Sequence, residues 1–294
     1  MELEYLYEFT VIAQLESFSR AAEELCISQS SLSKHVLALE RELGVSLLQR
    51  GSRRVTLTPT GAKIMPMARE ISRLKDGIRA AAEEQTRREK GTLALASIPV
   101  MAQYNITGLL ADFRREHPKV ALEITECEQQ ELRELLEKGT CQIAFARRGL
   151  EDWEDLESLE FCRDELVAVA PLDHPLSKRD RIEPEVLKGE PLLFLDQQTG
   201  FHHLYTALCR GAGFVPNIAY TGRRPENIIE LAAQGMGVAL VMGRHVRYLD
   251  HPGVKAIPFA PAVDSAVCLI RRKDRALSEL PKAFWEFVEQ RAEE

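Results

Sequence analysis

Apolar residues in the first part of the chain recur at steps of three and four, the spacing of one face of a helix. The first such run is Leu3, Leu6, Phe9, Ile12 and Ala13. A second helix is predicted over residues 20–25 with Ser19 as its N-cap. A third runs from an N-cap at Ser28 to Leu43, where Gly44 ends it. Because only a short turn separates these two helices, they are predicted to form a helix-turn-helix.

The pattern then changes to that of short strands. The stretch VSLLQRGSRRVTLTPTG, residues 45–61, is typical of a strand, a tight turn at Gly51 and a returning strand. A two-stranded wing of this kind is expected to carry Arg50, Arg53 and Arg54 toward a DNA backbone. Arginine in such a place fixes the position of the protein more than it reads sequence.

A long helix is predicted from Pro59 to about Arg88, with Pro66 expected to kink it or to mark a late start. Its apolar residues step by three and four as a heptad seam over about two and a half repeats. They are Ile64, Met67, Ile71, Leu74, Ile78 and Ala81. A seam this narrow can pack onto its own domain or onto a second copy of the chain. We expect a dimer, because a helix that leaves a small domain has little else to cover it.

From residue 92 onward, strands and helices alternate along the chain. This rhythm predicts parallel sheets with helices on both faces. Two such sets, the second beginning near residue 165, indicate two lobes with a ligand between them at the carboxyl ends of strands. The first helix of the first set is predicted to begin at Met101, shortly after the strand that ends at Ser97.

The leading end of the third helix carries serines and a glutamine, although serine is a mediocre helix former. Gln29, Ser30 and Ser33 can exchange hydrogen bonds with base edges in a major groove without adding a net charge. Lys34 can meet a phosphate or a guanine. The alternative is that the serines only cap the helix and face solvent, and this is the interpretation we adopt for Ser28.

The net charge of the whole chain is negative, but the charge of its N-terminal segment is compatible with a DNA partner. The 294-residue chain has a net charge of −7, but residues 1–90 hold 14 cations and 13 anions, against 24 cations and 32 anions in residues 91–294. Within residues 17–63, seven cations face four anions. This local excess is compatible with phosphate contact, and the acidity belongs to the second part of the chain.

Composition indicates a globular protein, with 45% hydrophobic and 28% charged residues. No stretch is apolar over the roughly 18 residues of a membrane span, and the acidic start lacks the basic flank of a secretory signal. We therefore expect a cytoplasmic protein that does not contact membranes. The six cysteines show no CxxC spacing and no partnered histidines, so reduced thiols are expected, with no metal and no cofactor.

Over nearly its whole length the sequence resembles the LysR-type transcriptional regulators. The specific match is SFSRAAEELCISQSSLSKHVLALERELGVSLLQR, and RRVTLTPTGAKIM, DHPLS, GAGFVP and LAAQGMGVAL agree further along. The resemblance implies an N-terminal all-α winged helix-turn-helix with a long linker helix, and a C-terminal α/β two-lobed effector domain like a periplasmic binding protein. The implied bounds are residues 1–58, 59–90 and 91–294, with lobe I over about 91–163 and 265–294 and lobe II over about 164–264.

The resemblance also implies site residues and partners. The family's DNA contacts fall on Gln29, Ser30, Ser33, Lys34, Arg53 and Arg54. Its effector cleft maps onto Ser97, Ile98, Pro99, Val100, Met101, Gln129, Thr199, Gly200, Phe201, His202 and Glu226. The implied partners are double-stranded promoter DNA, a small organic effector and further copies of the chain in a homodimer or homotetramer, with RNA polymerase as a candidate.

Leu48 stands where the family more often has phenylalanine, which we expect to be a variation in packing. Two further departures lie in the predicted cleft. Many relatives have a hydroxyl where Ile98 stands and Ser or Thr where Gln129 stands, and in those relatives both groups hold carboxylates. The predicted helix after Ser97 would still present backbone N–H groups to an anion. Apolar side chains nevertheless make the predicted cleft more hydrophobic than in those relatives. His202 either adds a hydrogen-bond donor that depends on its protonation or lies in solvent. We therefore predict a small organic acid or aromatic-like effector with an apolar body.

Two other functions compete with this interpretation. An enzyme is disfavoured because the sequence has no GxSxG, GxxxxGK[ST] or HExxH motif. The glycine-rich stretch GMGVALVMG follows a predicted helix and precedes a strand, the reverse of a dinucleotide-binding turn. A thiol-based redox-sensing regulator of the same family stays open, with Cys127 and Cys209 near the predicted cleft. A sensing thiol would need access to solvent and a lowered pKa.

Overall fold

The computed structural model describes residues 1–51, 54–149 and 153–292. The chain divides into two compact units, Met1–Glu83 and Glu84–Glu294. This division falls inside the long helix, whereas the sequence placed the start of the effector domain at residue 91. Among the described residues, no helix is long and apolar enough to cross a membrane.

The first unit is a three-helix head with a two-stranded wing and most of a long helix. Its elements are α1 (Leu3–Leu15), α2 (Phe18–Glu24), α3 (Gln29–Leu43), β1 (Leu48–Arg50), β2 (Val55–Leu57) and α4 (Pro59–Lys90). Phe9 of α1 and Leu32 of α3 are fully buried in the core between the helices. β1 and β2 pair antiparallel, with Leu48 opposite Leu57. A winged helix-turn-helix is therefore the fold of this unit.

Helix caps in the head follow from short polar side chains. Ser28 caps α3, and Gly44 ends it at a φ of 69°, a left-handed conformation that suits glycine. The prediction that Ser19 caps α2 is wrong, because the helix begins two residues earlier, at Phe18. Ser17 has the extended backbone of an N-cap and accepts a hydrogen bond from the N–H of Arg20 at 3.3 Å.

Helix α4 runs from Pro59 through Pro66 to Lys90, so a late start at Pro66 is wrong. Its first turn is capped by Thr58, whose hydroxyl accepts from the N–H of Gly61 at 2.9 Å. Gly61 lies against the wing, since a Cβ built on it would stand 2.1 Å from the carbonyl oxygen of Leu47. The glycine thus sets how closely α4 approaches the start of the wing.

The second unit contains two lobes of alternating strands and helices. Its first elements are β3 (Thr92–Ser97), α5 (Ile106–Glu116), β4 (Ala121–Glu126), α6 (Gln129–Lys138), β5 (Ile143–Arg147) and β6 (Leu156–Pro171). They are followed by β7 (Pro191–Leu195), α7 (Phe201–Gly211), β8 (Asn217–Gly222), α8 (Pro225–Ala233) and β9 (Val238–Met242). The last are α9 (Gly243–Leu249), β10 (Val254–Pro258), β11 (Asp264–Arg272) and α10 (Glu279–Ala292).

The strands form the order β4-β3-β5-β11-β6-β9-β7-β8, with β10 also paired to β6. β3 pairs parallel with β4 and β5, and β7 with β8 and β9, whereas β6, β10 and β11 pair antiparallel. The predicted parallel pairing is therefore confirmed among β3, β4 and β5 and among β7, β8 and β9, but the sequence did not indicate the antiparallel strands β6, β10 and β11. β6 spans 16 residues and pairs first with β11 and then with β9 and β10, so it connects two separate hydrophobic cores.

The start of α5 differs from the prediction. The helix begins at Ile106, and residues 101–105 form turns that end at Asn105 in a left-handed conformation with a φ of 57°. The N–H of Ile98 donates to the carbonyl of Phe145 at 3.0 Å. The helix start predicted at Met101 is therefore wrong, and the N–H of Ile98 is not free to face an anion.

A pair of substitutions on α4 tests the close approach of helix and wing. Gly61→Ala should destabilise the protein by about 1–3 kcal/mol, because the new methyl group meets backbone that cannot rotate away. Gly77→Ala is the matched control on the same helix, since a Cβ there meets nothing within 4 Å. It should stabilise by about 0.5–1 kcal/mol. Urea unfolding followed by circular dichroism measures both, and equal effects would contradict the proposed close packing.

Candidate functional site

The leading end of α3 is built from hydroxyl groups that bond one another. The hydroxyl of Ser28 accepts from the N–H of Ser31 at 3.0 Å and lies 2.9 Å from the hydroxyl of Ser30. Gln29 is exposed, and its Oε1 accepts from the hydroxyl of Ser19 at 3.0 Å. The link to α2 restricts the glutamine side chain while its amide nitrogen stays available to donate.

The other predicted DNA contacts lie on two surfaces of the head. Lys34 is exposed and Ser33 half-buried on α3. In the wing, Arg54 is exposed and its guanidinium lies 3.3 Å from a carboxylate oxygen of Glu16. Arg50 belongs to β1, and Arg53 lies outside the described residues.

A buried carboxylate that the sequence interpretation missed seats α3 on α1. Glu8 is 4% exposed, and its two oxygens lie 3.0 and 2.9 Å from Nδ1 of His35 on α3. The imidazole also stacks on Tyr5 with ring centroids 4.5 Å apart. His35 follows Lys34 directly in sequence, so this pair fixes the rotation of α3 about its axis. An acid and a histidine 27 positions apart give no local signal of this interaction.

The second unit contains a cleft that is partly open to solvent, with an enclosed space of about 60 Å³. Small-molecule sites are usually concave in this way. Seven of the eleven predicted effector residues line it: Ile98, Pro99, Val100, Gln129, Thr199, Phe201 and Glu226. The structure adds Glu128, Arg147, Leu195, Arg223, Arg224, Pro225 and His245. Segments far apart in sequence therefore meet at one place.

The other four predicted residues do not line the cleft. Ser97 is fully buried, and its hydroxyl donates to the carbonyl of Ile98 at 2.8 Å. Met101 packs against the core of its lobe. Gly200 precedes α7 in a left-handed conformation. His202 is half-buried with its ring edge-on to that of Phe194, at 5.9 Å between centroids.

Gln129 lines the cleft, but its amide is already paired. Its Nε2 donates to the carbonyl of Arg147 at 2.8 Å, and its Oε1 accepts from the N–H of the same residue at 2.9 Å. Only 7% of the residue is exposed. Gln129 thus joins the start of α6 to the end of β5, where a serine or threonine would be too short to make both bonds.

Arg147 is the central residue that the sequence interpretation missed. It is 1% exposed, and its guanidinium lies 5.0 Å from the ring centroid of Tyr104 and 5.2 Å from that of Phe201. Its Nη2 donates to the hydroxyl of Tyr104 at 2.7 Å, and that hydroxyl donates to Asp164. A basic residue at the carboxyl end of a buried strand was the available signal, because ligand sites collect at such ends.

Burial shifts the pKa values of the cleft residues. The pKa of His245 is lowered to about 3 by burial and by the Arg147 cation, so its ring is neutral at physiological pH. Burial raises the pKa of Tyr104, which keeps the phenol protonated. At the rim, burial raises the pKa of Glu128 against the opposing effect of Arg223.

The two candidate thiols, Cys127 and Cys209, lack the lowered pKa of a redox-sensing cysteine. Burial raises the pKa of Cys127 to about 11 and that of Cys209 to about 11, and Cys209 is fully buried. A reactive thiolate needs the opposite shift. Neither of the two candidate cysteines therefore supports redox sensing. Among the described residues, no group of His, Cys, Asp and Glu side chains could hold a metal ion.

The fold and site define a class: a DNA-binding winged head and a two-lobed body with a ligand cleft. Comparison with known proteins agrees over most of the chain. The family model "Bacterial regulatory helix-turn-helix protein, lysR family" matches residues 3–62, and "LysR substrate binding domain" matches residues 86–293. The chain belongs to the LysR family of transcriptional regulators.

Individual relatives match most of the chain as well. The transcriptional regulator YnfL of Escherichia coli is 32% identical over 246 residues, which cover 82% of each protein. HinK, a LysR family transcriptional regulator from Pseudomonas aeruginosa, is 26% identical with a TM-score of 0.61, over 99% of this chain and 98% of that one. A Corynebacterium glutamicum OxyR mutant is 27% identical with a TM-score of 0.60, over 99% and 92%.

The pairing of Gln129 yields a test. Gln129→Ala should destabilise the protein by about 1–3 kcal/mol for each backbone group of Arg147 that it leaves unpaired. Gln130→Ala is the matched control, because Gln130 is the exposed neighbour on the same helix. Its effect should stay within about 0.5 kcal/mol. Thermal and urea unfolding of the two variants measure the difference, and a Gln129→Ala protein as stable as wild type would contradict the structural role.

Proposed function

We propose that the head binds double-stranded promoter DNA with the leading end of α3 in the major groove. The observation that carries this proposal is the exposed Gln29 held by Ser19 at the start of a helix otherwise packed on the core. A glutamine can bond an adenine edge in two places. Its Oε1 has a second lone pair, so it can accept from a base while it keeps the bond to Ser19.

The remaining predicted contacts divide by their chemistry. Ser30 and Ser33 would exchange hydrogen bonds with base edges beside Gln29. Lys34 on α3 would meet a phosphate or a guanine. Three wing arginines, Arg50, Arg53 and Arg54, would meet the backbone on the flank of the site. Arg54 would exchange its surface partner Glu16 for a phosphate at small cost, because exposed ion pairs contribute little.

We propose that a second copy of the chain covers part of α4. The predicted seam has two kinds of residue: Ile64 and Ile71 pack against the core of their own head. Met67, Leu74 and Ile78 are 60%, 53% and 75% exposed. This outward stripe supports pairing through α4, in a homodimer or in a homotetramer made from two such pairs.

Position along the helix explains how one stripe can serve two neighbours. Ile71 and Ile78 lie within about 20° of the same side of a straight helix, because seven residues make nearly two full turns. Ile64 and Ile71 pack on the core of the head, whereas Ile78, two turns further along, is exposed. The sequence alone shows only the spacing, and the shape of the head decides which residues remain exposed.

We propose that the cleft binds a small organic effector and that effector binding changes how the oligomer contacts promoter DNA. Apolar side chains from Ile98, Val100 and Phe201 support an effector with an apolar body. RNA polymerase is the proposed partner in transcription, and the cytoplasm is the proposed compartment because promoter DNA is there. The cleft is proposed to bind its ligand without converting it.

DNA recognition is tested with a promoter fragment taken from upstream of the gene that neighbours the gene of this protein. Gln29→Ala should relax base choice at one position by about 1–3 kcal/mol, whereas Arg53→Ala should weaken all sequences about equally. Removing one phosphate contact should reduce the slope of log affinity against log salt by about 0.9. Gln14→Ala, an exposed glutamine on α1, is the control. Fluorescence anisotropy across a set of site variants measures these effects, and unchanged binding by both test variants would show that the contacting helix is misassigned.

Pairing of two copies through α4 is tested by placing negative charges on the exposed apolar stripe of the helix. Leu74→Glu together with Ile78→Glu should convert the oligomer to a smaller species, because buried carboxylates would face each other across the seam. Arg69→Glu is the control, an exposed residue of the same helix about 200° around from Met67. Light scattering after size-exclusion chromatography gives the mass. If the double variant keeps the mass of wild type, the seam does not hold the copies together.

A further inference from the structure

Two polar atoms at the floor of the cleft have no hydrogen-bond partner among the described residues. They are Nε of Arg147 and Nδ1 of His245, and both residues line the cleft. Arg147 is 1% exposed and His245 4%. Buried polar atoms in folded proteins are nearly always paired, so each orphan atom needs an explanation. A ligand group that enters from the cleft supplies one.

The charge of Arg147 is also only partly balanced. A guanidinium stays protonated in any protein environment, and burying it without an anion is costly. Its Nη1 donates to the hydroxyl of Ser265 at 3.4 Å and its Nη2 to Tyr104 at 2.7 Å, both neutral groups. Among the described residues, no carboxylate oxygen forms an ion pair with it.

Asp164, the acid bonded to Tyr104, is engaged by other groups as well. It accepts from the hydroxyl of Tyr104 and from the N–H of Arg244 at 3.2 Å, and the guanidinium of Arg247 lies 3.6 Å from it. It is joined to Arg147 through the tyrosine hydroxyl, and no direct hydrogen bond or ion pair links the two side chains among the described residues. The guanidinium thus retains the capacity to bind one more anion.

The surroundings of Arg147 select the rest of the ligand. The rings of Tyr104 and Phe201 lie near the guanidinium, and Ile98 and Val100 continue an apolar wall. The rim carries two acids and two arginines: Glu128, Glu226, Arg223 and Arg224. One of these arginines, Arg223, lies 3.5 Å from Asp196. The rim therefore has no surplus of positive charge for a second carboxylate.

We propose that the floor of the cleft binds the carboxylate of a monocarboxylic acid, with Nε of Arg147 and Nδ1 of His245 as its hydrogen-bond donors. The apolar body of the acid lies against Ile98, Val100 and Phe201. The inference rests on the proposed function, since it takes the cleft as the effector site. A neutral histidine donates from Nδ1 when the proton is on that nitrogen. Because Arg147 is a permanent cation, the site distinguishes an acid from a neutral molecule of the same shape.

Isothermal titration of the full-length protein tests this selection. The probes are hexanoate and 3-phenylpropionate, each compared with its neutral primary amide. At least one acid should bind wild type at least about tenfold more tightly than its amide. Arg147→Met should remove that difference. Arg148→Met is the matched control, because Arg148 is the next residue and pairs with Glu160 at 2.7 Å outside the cleft lining.

Three results would overturn the proposal: no acid binds wild type, acid and amide bind equally, or Arg148→Met loses as much affinity as Arg147→Met. If Arg147→Met does not fold, Arg147→Lys and His245→Phe are titrated instead, and both should weaken the acid more than the amide. Binding to promoter DNA is measured in parallel. Wild type that binds acids but not DNA would contradict the proposed DNA-binding function and leave the ligand site standing. Wild type that binds DNA but neither acid would overturn the ligand site and leave DNA binding standing.

Discussion

One buried carboxylate, that of Asp164, holds the parts of the second unit in register. It lies on β6 where this strand leaves β11 for β9, and it is 7% exposed. It accepts from Tyr104, which precedes α5 in one lobe, and from the N–H of Arg244 in α9 of the other. Without this anion, a phenol, a backbone N–H and the Arg147 guanidinium behind the phenol would lose their partner or their nearest compensating charge. Asp164 therefore links residues of both lobes beside the cleft.

Much of the head could be predicted from local pattern. Helix periodicity, the Ser28 cap and Gly44 placed α3 correctly because these signals act within one or two turns. The cap of α2 was misplaced by two residues, since both Ser17 and Ser19 suit an N-cap and only packing chooses between them. The Glu8–His35 pair was missed for the opposite reason: its members are 27 positions apart and meet only after α1 and α3 pack.

The cleft shows the same limit on sequence reasoning. Its place at the carboxyl ends of strands was predicted from topology. The residues of its apolar wall came from the resemblance to the LysR-type regulators. The start of α5 was wrong because the chain after Ser97 forms turns, and Ile98 uses its N–H to bond the neighbouring strand. Arg147 was missed because a charged residue at the end of a strand is usually solvated. Burial of its guanidinium depends on Tyr104 and Phe201, which come from distant segments.

The electrostatics of the cleft limit what kind of signal it can read. Burial lowers the pKa of His245 to about 3 and raises those of Tyr104 and Cys127, the latter to about 11. Around neutral pH none of these three groups changes its charge, and Cys127 offers no thiolate to an oxidant. An arginine guanidinium is a permanent cation in proteins. The cleft therefore combines a cation of constant charge, Arg147, with apolar side chains. Its response depends on the charge and shape of the ligand and not on a change of protonation in these groups.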